Sequence, residues 1–321
     1  MILSELSSAD LVELLRNPGL YVASGPFVVH LESRLSQVAA GMQELYQDFS
    51  LENVGFADFH VKLDKPCNLH RWFRPQVVCY LNDESSFAPL PIEQAFAMFE
   101  SCLNWAIYSG IYSYMIIHGA AVERNGFAAI LTAPPGSGKS TLCAALVNRG
   151  WRLLTDELTL VCPKTETILP LARPISLKNE SIDVLRRFAP ESTLGPEIHN
   201  TIKGTIAHMR PSTESVLRMH EAAAPGWMIF PKYEPGSKTT SRPLPKAQTF
   251  MRIPAGLVNY PVLGELGFRL LTNLIDRMDC YEFTYSELEE AIAWFDQLTP
   301  PQWYVDDDLR SFPSVPAVPP R

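Results

Sequence analysis

The chain has 321 residues, 46% of them hydrophobic and 19% charged, with a formal net charge of −8. This is ordinary globular composition, enough for one large or two modest domains. A mildly acidic balance without blocks of Lys or Arg argues against a nucleic-acid partner or an anionic membrane surface.

The opening "MILSELSSADLVELL" lacks the basic flank and apolar core of a signal peptide. The longest apolar run, Ile111 to Val122, is broken by His118 and hydroxyl side chains, so no membrane span is expected. Six scattered cysteines with no CxxC pair argue against a zinc ribbon or redox motif. The expectation is reduced thiols in a cytoplasm, with Cys143 a small core residue.

Residues 1–112 carry no glycine-loop signal and are expected to form an α+β domain of unknown role. "LSSADLVELLRN" begins with a Ser/Asp cap ahead of apolar spacing, which predicts a short helix. "PFVVHLES" reads as a strand, and "RLSQVAAGMQELYQDF" as an amphipathic helix. "ADFHVKL" and "PQVVCYLN" alternate like half-buried strands. "PIEQAFAMFESCLNWAIYSGI" is predicted as a helix with Pro91 near its start. No catalytic constellation is visible here, and His30, His60 and His70 lack metal-ligand spacing.

A second unit is expected over residues 113–300. "SYMIIHGAAVE" and "GFAAILTA" are apolar runs joined through Arg124-Asn125-Gly126, a strong hairpin signal. The strand entering the glycine loop is therefore expected to be the second arm of an antiparallel hairpin. "WRLL" predicts a strand returning to the sheet. "LTLVC" and "TILPLA" flank a polar turn and predict another hairpin. "NESIDVLRRF" predicts a helix capped by Asn179, and Pro190 to Thr205 a loop. "GWMIFPKY" predicts a strand, "EPGSKTTSRPLPKAQ" a loop and "LGFRLLTNLIDRM" a helix. "CYEFTY" predicts a strand, and "SELEEAIAWFDQL" a closing helix capped by Ser286. Residues 301–321 form a Pro-rich tail that cannot build core.

Ala133-Pro134-Pro135-Gly136-Ser137-Gly138-Lys139-Ser140 fits the phosphate-loop pattern, with Ala in place of the first Gly, and Thr141 follows. Gly136 and Gly138 permit backbone turns that aim successive N–H groups at phosphate oxygens. The helix that follows presents its positive end to the same oxygens. Lys139 is suited to bridge the β- and γ-phosphates and the Ser140 hydroxyl to ligate Mg²⁺. A nucleoside triphosphate, ATP, is the expected ligand, with Mg²⁺ as the metal.

Asp156 and Glu157 end the next strand, where its C-terminal end should emerge on the side of the loop. One carboxylate can hold the metal and the other can accept a proton from an attacking hydroxyl. Side chains of adjacent strand residues point opposite ways, which favours Asp156 as the base. A metal-only role, or a solvated turn, fits the same pair. His118 suits either a satisfied core histidine or a partner that tunes the carboxylate.

The hairpin before the phosphate loop, its histidine and the adjacent acids resemble the HPr kinase/phosphorylase catalytic domain. "IIHGAAVERNGFAAILTAPPGSGKSTL…NRGWRLLTDEL" is most similar to the HPr-kinase-related kinase A group. "FESCLNW", "RPISLKN", "KGTIAHMRP" and "FPKYEPG" extend the likeness over Phe99 to Thr272. The resemblance implies an α/β (α+β, mixed-sheet) fold of the phosphoenolpyruvate-carboxykinase-like kind. It implies an ATP-dependent kinase acting on a hydroxyl, such as a serine of a small partner protein, and a closed homo-oligomer. It assigns the base to Asp156, its partner to His118 and the second acid to Glu157. An ATP-binding or slow ATPase module and a small-molecule kinase are the alternatives.

Departures accompany the likeness. The family's metal-binding Glu-Ile-Arg-Gly segment corresponds to Thr201-Ile202-Lys203-Gly204, which has no carboxylate. The Pro-Gly-Arg-Asn loop maps near Ala255-Gly256-Leu257, without its arginine, and Arg252 is the candidate substitute. These changes put phosphorolysis and HPr itself in doubt. Arg173, Lys203 and His208 are secondary candidates, with Arg173 or Lys203 suited to neutralise phosphoryl charge.

Overall fold

A computed structural model describes residues 1–301 apart from Val54 and Ser86. The first helix, α1 (Ser8–Arg16), starts where the Ser7 hydroxyl accepts from the Asp10 N–H at 3.1 Å, and it buries Leu11 and Leu15. Strands β1 (Leu20–Ser24) and β2 (Phe27–Ser33) pair antiparallel. The five-residue β1 was not expected from the sequence. Helix α2 (Ser36–Leu45) precedes β3 (Phe59–Asp64), which runs parallel to β2. Strand β4 (Gln76–Leu81) is antiparallel to β3 and carries the short β5 (Glu84–Ser85) and β6 (Leu90–Pro91). Pro91 leads through one tight turn into α3 (Ala95–Gly110), which buries Phe96, Phe99, Leu103 and Ile107 against α2, β3 and β4. That packing brings Cys102 onto Cys79, and the two form a disulfide. The expectation of six reduced thiols is thereby corrected for this pair. Cys67, Cys143, Cys162 and Cys280 are free, and Cys143 is buried as expected.

The expected single strand over "SYMIIHGAAVE" is split. Strand β7 (Met115–His118) and β8 (Ala120–Arg124) belong to different sheets. Gly119 is the joint: its N–H donates to the Glu157 carbonyl at 3.0 Å, and a Cβ there would approach the Leu131 carbonyl to 2.6 Å. Strand β8 turns into β9 (Phe127–Leu131) through Asn125 and Gly126, both at positive φ, the backbone of a two-residue hairpin turn. Successive residues of β9 alternate between two cores. Phe127, Ala129 and Leu131 face one; Ala128 and Ile130 face the other.

After β9 comes α4 (Lys139–Val147), packed into the first core, and then β10 (Arg152–Thr155), antiparallel to β8. Strand β11 (Leu158–Val161) pairs with both β7 and β12 (Ile168–Leu169). Strand β13 (Ile175–Lys178) leads into α5 (Glu180–Phe188). The expected loop at Pro190 to Thr205 contains β14 (Ile198–Thr201) and the start of β15 (Gly204–Met209), which also pairs with β13. Helix α6 (Thr213–Leu217) precedes β16 (Ala224–Tyr233), which lies parallel to β9. The loop expected over 234–248 contains the edge strand β17 (Thr240–Pro243) and the start of α7 (Lys246–Arg252). Helix α8 (Tyr260–Arg277) lines the second core; β18 (Asp279–Tyr285) and α9 (Leu288–Phe295) close the described chain.

The main sheet has the order β10-β8-β9-β16-β18-β17 and is mixed: β9, β16 and β18 are mutually parallel, the rest antiparallel. Two expected caps are replaced. Asn179 occupies the cap position of α5, but its side chain accepts from the Thr205 N–H at 3.0 Å. Ser286 accepts from the Gly236 N–H rather than capping α9, which starts after Glu287. No described helix is long and apolar enough to cross a membrane. Beyond Pro301 the expected tail lies outside the described residues.

Candidate functional site

The loop between β9 and α4 is held by backbone and by two tyrosines. The Ser137 carbonyl accepts from the Tyr233 N–H at 3.0 Å, and the Gly138 carbonyl from the Tyr285 hydroxyl at 3.0 Å. Gly138 sits at φ 90, and a Cβ there would collide with that hydroxyl. Gly136, at φ 83, has open space where a Cβ would stand. The Lys139 ammonium donates to the carbonyls of Ala133 (2.6 Å) and Pro134 (3.0 Å). Burial lowers its pKa, while Asp156 pulls the other way.

Pro135, Gly136, Gly138, Lys139, Ser140 and Thr141 line a cleft of about 880 Å³ together with His118, Asp156, Glu157 and Lys203. Ser137 turns its hydroxyl inward, where it is buried without a partner. Asp156 and Glu157 lie just past β10, on the loop side as expected. Burial, and then the neighbouring Glu157, raise the Asp156 pKa to about 6; the Ser140 hydroxyl and the Ser176 N–H act in the opposite direction. Its Oδ2 accepts from the Ser176 N–H at 3.1 Å, whereas Oδ1 is buried with no hydrogen-bond partner. Glu157 is tied differently, accepting from the Asn104 side-chain amide on α3.

His118 ends β7, opposite Leu158 in register, so it is not on the hairpin arm beside the loop strand. It reaches the cleft from the neighbouring sheet. Burial lowers its pKa; Glu157 opposes this, and Lys139, Lys178 and Lys203 reinforce it.

A second cavity of about 460 Å³ shares Asp156, Glu157, Ser176 and Lys203 with the cleft. Arg173 and His208 line this second cavity only. Arg173 is buried and pairs with Glu100 at 3.1 Å while donating to the Asn104 side-chain oxygen Oδ1. His208 packs edge-on against Phe96, and burial lowers its pKa to about 4. Lys203 is exposed at the β14–β15 turn and borders both spaces. Arg252 is apart from them: it pairs with Glu282 and stacks over Phe230. The nearby segment does reach the site's flank, since Leu257 bridges to Ile117 on β7.

Sequence reasoning missed Lys178, Ser176, Glu100 and Asn104. All four lie inside "RPISLKN" and "FESCLNW", stretches noted only for their likeness. Glu100 and Asn104 are four apart on a helix, spacing that puts them on one face.

The oxygen donors Ser140, Asp156 and Glu157 suit a hard cation such as Mg²⁺, which binds through one or two carboxylates and completes its shell with phosphate and water. The unpartnered Asp156 Oδ1 is consistent with that. Among the described residues no group of three or more His, Cys, Asp and Glu forms a metal site by itself.

No family model matches the sequence, and no curated protein does. Among solved structures the chain is similar to the HPr(Ser) kinase/phosphatase from Coxiella burnetii, at 13% identity and a TM-score of 0.25. The match covers 57% of this chain and 96% of that one.

Proposed function

We propose that the chain is an ATP-dependent kinase that transfers the γ-phosphoryl group to a hydroxyl. The observation that carries this reading is Asp156, a carboxylate with one buried, unpartnered oxygen in the same cleft as the phosphate loop. The loop N–H groups and Lys139 hold the phosphates. Ser140 and Glu157 are the residues that would hold Mg²⁺, which when bound neutralises phosphate charge. Asp156 is raised to about 6, still ionised at pH 8, and basic enough to take the acceptor's proton as the oxygen attacks. His118 lines the same cleft, where burial favours its neutral form. Lys178 and Lys203 add positive charge where the transferred group passes.

Asp156→Asn tests this. Transfer of label from γ-labelled ATP should fall by about 10²-fold or more, while a fluorescent ATP analogue binds within a few-fold of wild type. Unchanged phosphoryl transfer in Asp156→Asn would remove Asp156 as the base. Nucleotide binding with no transferred label in either protein would leave an ATP-binding module as the reading.

A further inference from the structure

The two cavities meet at Asp156. We propose that the second one is the acceptor pocket, and that the acceptor is a small uncharged molecule with a compact apolar body and one reacting hydroxyl. This rests on the kinase reading and names its substrate class.

Three observations carry it. The cavity shares Asp156, Glu157, Ser176 and Lys203 with the nucleotide cleft, so a hydroxyl held in it lies beside the Asp156 carboxylate. Its volume of about 460 Å³ falls in the range of small-ligand pockets. Two of its charges are already spent on each other. Glu100 pairs with Arg173, and Asn104 is taken by Arg173 and Glu157. Leu90, Met98 and Ile206 supply apolar wall. Among the described residues Asp156 has no ion-pair partner, so it would repel an anionic acceptor, and a cationic one would occupy the carboxylate that has to take the proton.

The step balances without a further reactant. The acceptor oxygen forms a bond to Pγ, and the Pγ–O bond to the β-phosphate breaks. The hydroxyl proton passes to Asp156, and ADP leaves.

The experiment has two arms, each run on wild type, Ser101→Trp and Leu90→Trp. Ser101 is exposed on α3 and Leu90 is partly exposed; both line the second cavity and neither lines the nucleotide cleft. In the first arm 2-phenylethanol and 1-hexanol are titrated by ligand-observed NMR. Saturable binding is expected, weakened at least tenfold in both variants, with affinity for a fluorescent ATP analogue unchanged within twofold. In the second arm γ-labelled ATP is incubated with lysate fractions below 3 kDa and above 10 kDa. Label is expected in a small phosphate monoester of the low-mass fraction, separated from ATP and inorganic phosphate by chromatography, and reduced at least tenfold by either variant. Absence of alcohol binding, or binding indifferent to both substitutions, overturns the pocket. Label confined to the fraction above 10 kDa overturns it in favour of a protein acceptor. Alcohol binding with nucleotide binding but no transferred label supports the pocket and fails the kinase reading instead.

Discussion

At the scale of single residues, the site is defined by side chains whose partners are incomplete. Asp156 keeps one oxygen unpartnered, and burial with Glu157 beside it makes its charged form costly. Asp156→Asn should therefore raise the stability of the metal-free protein at pH 8 by about 1–3 kcal/mol, read by urea unfolding. A neutral or lower value would mean the carboxylate is better satisfied than its surroundings suggest. His208 behaves the opposite way with pH. Its folded pKa is about 4 against an ordinary 6.5, so below 6.5 the unfolded chain binds the extra proton first. Stability supported by neutral His208 is complete above pH 6.5 and is lost as pH falls toward 4, on the order of 3 kcal/mol in all. The charges facing it are Glu157, Arg173, Lys178 and Lys203. His208→Gln should flatten that part of the stability–pH curve, and an unaltered curve would place the titration on another group.

At the scale of elements, the glycine loop is legible because its backbone constraints are local. Gly138 needs a left-handed backbone, which follows from the loop's own tight turn, and Tyr285 of β18 further closes the space beside it. Gly138→Ala should weaken binding of a fluorescent ATP analogue by at least tenfold, because either φ or Tyr285 must move. Retained affinity would show that the loop does not need this geometry. The Asn125-Gly126 turn is equally local, and it falls where the residues predict. Element assignments failed where a neighbour decided the outcome. β7 and β8 read as one apolar run, but the Glu157 carbonyl on Gly119 and the close Leu131 backbone divide them between sheets. Asn179 and Ser286 read as caps, yet Thr205 and Gly236 compete for them. β14 and β17 were lost among polar, Pro- and Gly-flanked residues that become strands only by pairing with β15 and β18.

At the scale of the molecule, one apolar cluster runs from Leu3 to Phe295, and α3 joins the first sheet to the site through Glu100 and Asn104. Calorimetry should accordingly give a single unfolding transition. Two separated transitions would show that residues 1–112 and 113–300 unfold as independent units. What the sequence alone determined is what short-range chemistry dictates: a glycine loop between a strand and a helix, the hairpin that feeds it, and two acids just past the next strand at the same end of the sheet. What only the tertiary structure decided is which groups gather there. Asp156 differs from Glu157 because a distant Ser176 N–H and burial act on one, while Asn104 holds the other. The second cavity, the Arg173–Glu100 pair and the exclusion of Arg252 depend on contacts between residues tens of positions apart. No spacing rule encodes such contacts, because packing free energy is set by the whole surface that two elements bury against each other.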